Sequence, residues 1–164
     1  MSAVVDANRQ RFGIGWLAAL GPVLLLAGCA SVPDAPVSQQ VRAASFRPPP
    51  GKAFVYVFRP SRLAQPGTLA ELTLDARRFG TLSPKTYLCA AVKPGRHELK
   101  VITFFETVPW SFEAEADGLY FFQVAPKKDR WILNPVPEMA AREELAKCRL
   151  SGNNTFEAGE RELR

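Results

Sequence analysis

From Ala53 onward the chain alternates apolar and polar residues in short runs, and each run stops at turn-forming residues. That period of two puts successive side chains on opposite faces of a strand. Ala53-Phe-Val-Tyr-Val-Phe58 is apolar at every position, which predicts a central strand buried on both sides. Leu69–Leu74 alternates, and Asp75-Ala-Arg-Arg78 reads as a hairpin turn into Phe79–Leu82. Thr86–Val92 is a further strand, closed by the Pro-Gly pair of Lys93-Pro-Gly-Arg96. Arg96–Ile102 follows, with Arg96, Glu98 and Lys100 on one face and His97, Leu99 and Val101 on the other. Trp110 to Asp117 alternates again, and Asp117-Gly118 is a hairpin signal ahead of Leu119–Val124 and Arg130–Leu133. Strands of this length and spacing, without βαβ alternation, predict a mainly β fold: an antiparallel β-sandwich of about 7–8 strands. One helix is expected over Pro137–Arg149, with Pro137 at its first position and Glu138 at the positive end of its dipole. Residues 53–150 form the predicted domain, and 151–164 a polar, disordered tail.

Composition sets limits on function. The chain has 164 residues, 47% hydrophobic and 23% charged, enough for one domain with its own core. Its net charge of +5 is mild and scattered, so it makes no nucleic-acid footprint. A single His excludes a multi-His metal site. No nucleophile elbow, phosphate loop or metal-binding helix motif is present, so no cofactor and no metal is expected.

The first eleven residues are polar and carry Arg9 and Arg11. The apolar run Phe12–Ala27 is 16 residues long and is interrupted by Gly13, Gly15, Gly21 and Pro22. Crossing a bilayer takes about 20 apolar residues, so this run fits a secretory signal better than a span. It ends in Leu26-Ala27-Gly28-Cys29, which resembles the lipobox of bacterial lipoprotein signals. That resemblance implies cleavage before Cys29 and a diacylglycerol thioether on its sulfur. Residues 1–28 are then a signal peptide. An ordinary cleaved signal or an uncleaved anchor are the other readings. Ala30 stands where an Asp would retain a lipoprotein in the inner membrane under the enterobacterial sorting rule, so the outer membrane is favoured. Residues 29–52 contain five prolines and read as a flexible tether, with the alternative that Val41–Phe46 packs on the domain.

Within the domain, Cys89 and Cys148 are candidates for a disulfide in an oxidising compartment, stapling helix to sheet. Two buried thiols are the alternative, and a Cys89–Cys148–His97 zinc site ranks below both. Phe104, Phe105 and Trp110 mark an aromatic loop that is either a contact patch or core filling. His97, or two of Glu113, Glu115 and Asp117, would be the groups of a hydrolase, although nothing in the sequence selects the pair. Arg77-Arg78 and Lys127-Lys-Asp-Arg130 are basic turns.

The strings Phe54-Val-Tyr-Val-Phe-Arg59, Tyr87 through Pro94-Gly-Arg-His97, and Phe112-Glu-Ala-Glu-Ala-Asp-Gly-Leu-Tyr-Phe121 resemble a group of small bacterial lipoproteins classed as a domain of unknown function. The resemblance covers about Lys52 to Leu150 and implies a β-domain similar to PEGA-type and transthyretin-like sandwiches. It carries over no catalytic residue. The expectation is a non-enzymatic, lipid-anchored envelope lipoprotein on the periplasmic face of the outer membrane. Its β-domain would bind an envelope protein or peptidoglycan, or support the envelope. A small hydrolase acting on glycan or peptide is the alternative.

Overall fold

The computed structural model describes residues 32–60, 68–104, 106–128 and 130–152. Among the described residues, nine strands form two sheets, mainly antiparallel, with two short helices. The architecture is therefore the expected mainly β sandwich. The central strand β1, Ala53–Arg59, is buried at every position. It lies between β4, Thr86–Val92, and β7, Leu119–Lys127. β8, Arg130–Pro135, extends the sheet beyond β7, and the two-residue β9, Arg149–Leu150, extends it beyond β4. The second sheet has four antiparallel strands: β2, Ala70–Leu74; β3, Arg77–Leu82; β5, Gly95–Ile102; and β6, Thr107–Ala114, in the order β3-β2-β5-β6.

Two cores explain why β1 is apolar throughout. Val55 and Val57 face the other sheet and join Leu72, Leu74, Phe79, Leu88, Leu99 and Val101. Phe54, Tyr56 and Phe58 point the opposite way, into a second cluster with Tyr87, Cys89 and Phe121. This outer cluster is roofed by α1, Val37–Ala44, and α2, Glu138–Leu145, through Ala43, Ala141 and Leu145. A strand covered on both faces has no polar face to spare. Helices, sheet and second sheet thus make three layers around two cores.

Several expectations need correcting. Residues 32–52 are not a free tether: Val32, Ala35 and Ala43 are buried, and Phe46 packs on the outer cluster. The Tyr56 hydroxyl donates to the Ala43 carbonyl at 2.7 Å, which ties α1 to β1. The reading of Val41–Phe46 as packed on the domain was the nearer one. Two pairings in the five-stranded sheet are parallel, β1 with β7 and β4 with β9. The strands between β1 and β7 include the whole second sheet, a connection long enough to return in parallel.

Asp117-Gly118 is not a hairpin, because it carries the chain from β6 in one sheet to β7 in the other. There the Asp117 amide donates to the Lys52 carbonyl at 2.8 Å, and the Phe54 amide donates to the Gly118 carbonyl at 2.9 Å, which sets the start of the parallel pair. A Cβ on Gly118 would lie 2.7 Å from the Tyr120 ring, so the corner has no room for a side chain. The helix α2 starts one residue later than expected, with Pro137 as its N-cap, and ends at Leu145, short of Arg149. Ser151, assigned to the tail, is fully buried.

Asp75-Ala76 does form the hairpin turn. Both residues have positive φ, 51° and 62°, the two-residue geometry whose twist matches that of paired strands.

Candidate functional site

The residues that bear on function fall in four places. At the first, the segment around Asp34 and the segment around Ser151 are stitched side by side. Asp34 and Ser151 form an isolated antiparallel bridge. The Ala35 amide donates to the Leu150 carbonyl at 3.0 Å, and the Gly152 amide donates to the Pro33 carbonyl at 2.7 Å. Arg149 pairs with Asp34 across the seam. The Ser151 hydroxyl donates to the Thr81 carbonyl at 3.0 Å, which anchors the C-terminal end to β3. A Cβ at Gly152 would stand 2.6 Å from the Asp34 carbonyl oxygen, so glycine permits this close approach. Cys29, with Leu26, Ala27 and Gly28, lies outside the described residues, three positions before Val32. Among the described residues no helix is long and apolar enough to cross a membrane.

The second place is the outer cluster with its two thiols. Cys89 is buried and Cys148 half-buried, and they are not joined: the expected disulfide is absent, and both remain thiols. Cys148 lies past the end of α2, not on its inward stripe, and its Sγ is turned toward the Arg59 carbonyl at 3.9 Å. Burial pushes the Cys148 thiol up to about 11, with nearby Glu144 adding to the shift. Burial also raises the Tyr87 phenol to about 12. Tyr56 rises further still, mainly through burial and then through Cys89. A thiol whose proton is held in this way, as at Cys148, is a weak nucleophile near neutral pH.

The third place is His97 on β5. Its Nδ1 lies 2.6 Å from Asp75 Oδ2, and its Nε2 lies 2.8 Å from the Lys93 carbonyl oxygen. Both ring nitrogens are thus engaged, one by a carboxylate and one by a main-chain carbonyl. Asp75 also accepts from the Glu98 amide at 3.0 Å. The side chain of His97 is 12% exposed and packs against Phe112. His97 therefore latches the β2–β3 turn to the β4–β5 turn. The zinc arrangement is not formed, because His97 sits in the four-stranded sheet while Cys89 and Cys148 belong to the outer cluster beyond the five-stranded one. Glu113, Glu115 and Asp117 are exposed.

The fourth place is the aromatic loop between β5 and β6. Phe104 is 95% exposed. Trp110 is half-buried against the inter-sheet core, which makes it a packing residue on β6. Phe105 lies outside the described residues. The patch reading therefore keeps Phe104, and the core reading takes Trp110.

The sequence reading passed over Arg59. It is 2% exposed, and its guanidinium stands 4.8 Å from the centre of the Trp131 ring. It donates through Nη1 to the Thr68 carbonyl and through Nη2 to the Thr68 hydroxyl at 3.2 Å. Burial lowers its pKa from the ordinary arginine value. The side chain fastens the segment entering β2 to the end of β1 and to β8. The one available signal was its position, directly after Phe58 in an unbroken apolar run.

Two sheets, an outer helical layer and the seam between Asp34 and Ser151 define a small three-layer β-sandwich domain. The chain belongs to the family described as protein of unknown function DUF2846, which it matches over residues 49–134. That match runs from just before β1 into β8 and leaves out both helices and β9. The chain is also similar to a protein of Haemophilus influenzae, named only as an uncharacterized protein, at 26% identity over 130 residues, 79% of this chain and 77% of the relative.

Proposed function

We propose that this protein is a lipid-anchored lipoprotein of the cell envelope whose β-domain is non-enzymatic and binds an envelope partner or supports the envelope. The observation that carries this reading is Leu26-Ala27-Gly28-Cys29 at the end of an apolar run preceded by Arg9 and Arg11. Small residues before the Cys let a peptidase reach the backbone, and the Cys supplies the thiol that takes the lipid. Each acyl CH₂ buried contributes about 0.8 kcal/mol, and a second chain turns marginal binding into lasting attachment. This reading takes the sandwich to be of the PEGA or transthyretin-like kind. The outer membrane, periplasmic face, is the location that Ala30 favours. Phe104 is the exposed aromatic through which the domain would meet a protein or peptidoglycan partner.

The hydrolase alternative has less support. Its base, His97, has both ring nitrogens engaged, and its acids sit on a solvated surface.

The intact mass of the protein extracted from membranes tests this reading. A chain beginning at Cys29 and carrying acyl groups, resistant to a carbonate wash, is the expected result. A chain that keeps residues 1–28, or that the wash releases, overturns it.

A further inference from the structure

The lipid-anchor reading has a geometric consequence, because the domain begins so close to Cys29. Val32 is 3% exposed, and the residues after it are held by main-chain bonds to Leu150 and Gly152. Only Ala30 and Ser31 separate Cys29 from Val32. Three residue steps span at most about 10 Å even fully extended. An acylated Cys29 therefore cannot stand the domain off the bilayer; it brings the seam down onto the headgroups.

The element beside that seam is α1, which starts five residues after Val32 and is about 12 Å long. One side of α1 packs on the outer cluster through Ala43. The other side exposes Val37 and Val41, at 74% and 66%, on adjacent turns, with Ala44 in line with them. Ser38, Arg42 and Ser45 border this stripe, and α1 contains no acidic residue. An exposed apolar stripe with a basic flank and no acid is the composition of a helix that lies at a lipid interface. Two valines and an alanine would be too weak to bind a membrane from solution. Covalent attachment nearby raises their effective concentration enough for a weak contact to persist.

We propose that the exposed Val37–Val41 face of α1 rests on the phospholipid surface in which Cys29 is anchored, so that the domain sits flush on the membrane with α1 down and the four-stranded sheet outward. This rests on the lipid-anchor reading.

The test uses the full acylated chain, extracted from membranes and reconstituted into vesicles of phosphatidylethanolamine and phosphatidylglycerol. An environment-sensitive dye is coupled to Val41→Cys or, as the opposite-side control, to Thr107→Cys on β6. Wild type treated with the same dye serves as the blank for the native thiols. The expected result is blue-shifted emission at position 41 and quenching by spin-labelled lipids several-fold stronger than at 107. Ala44→Cys, on the same stripe, should behave like 41 and guards against a local effect of one label. Adding Val37→Glu should weaken the quenching at 41 while the acylated mass is unchanged. Equal, water-like emission at 41, 44 and 107, in protein whose mass shows the acylated Cys29, overturns the orientation and leaves the anchor standing. A mass without acyl chains overturns both.

Discussion

The hydroxyl of Tyr56 donates to the carbonyl of Ala43, thirteen residues earlier, at 2.7 Å inside the outer cluster. This bond joins the middle of the central strand to the last turn of α1. Phe46 and Phe121 flank the same ring, with centroids 5.3 Å and 5.1 Å away. Tyr56→Phe keeps the ring and removes only the donor, leaving a buried carbonyl without this partner. The expected loss is about 1–2 kcal/mol in urea unfolding, with hydrogen exchange in α1 accelerated more than in β1. Equal exchange in α1 of both proteins would show that the bond does not hold the helix.

Arg59 is a cation placed where an apolar residue is expected. Arg59→Met keeps an unbranched apolar stem but removes the guanidinium over Trp131 and both bonds to Thr68. The expected cost is about 2–3 kcal/mol, read from the urea midpoint. Arg59→Lys should recover little of it, because an ammonium lacks the planar fork that spans the Thr68 carbonyl and hydroxyl while lying over a ring. A lysine variant as stable as wild type would contradict this role.

The Asp75-Ala76 turn stores strain at one residue. Ala76 has φ of 62°, a left-handed conformation that its Cβ disfavours. Ala76→Gly removes the clash at the position where two-residue hairpins prefer glycine. The expected outcome is a gain of about 0.5–1 kcal/mol in thermal or urea unfolding, even after the added freedom of the unfolded chain. Asp75 should stay, since its carboxylate binds both His97 and the Glu98 amide.

Cys148 and Tyr87 make the domain sensitive to alkali. Both hold their protons more tightly when folded, Cys148 to about 11 and Tyr87 to about 12. A raised acid contributes stability that is fully present below its unfolded pKa, about 8.5 for Cys and 10 for Tyr. That contribution is lost as pH climbs through the folded values. Urea midpoints should hold between pH 7 and 8 and fall from about pH 9 upward, and Cys148→Ala should flatten the earlier part of the fall. Alkylation at pH 8 should be at least roughly tenfold slower in the native protein than in urea. Mass after alkylation in urea without reductant should show both thiols modified; a missing pair would restore the disulfide reading.

The outer layer shows why some of this was hard to read. Val37–Ala44 sits among prolines and carries few core-type residues, so nothing local marks it as packed. What holds it is Tyr56 and the cluster beneath, on a strand read as buried on both faces without any sign of what covered the second one. Arg59 escaped for a related reason. A charged side chain is assigned to solvent by default, and the sequence gives no sign that Trp131 and Thr68 approach it. Asp117-Gly118 carried a genuine turn signal, but a turn signal does not say whether the next strand pairs with the last or crosses to the other sheet.

The sequence alone determined the mainly β architecture and the approximate place of eight of the strands, because alternation and turn chemistry are local. The tertiary structure decided the parallel pairing of β1 with β7, the second core, the seam between Asp34 and Ser151, and the thiol state of Cys89 and Cys148. Each of these depends on contacts between residues far apart in the chain, whose geometry exists only once both sheets and both helices have packed.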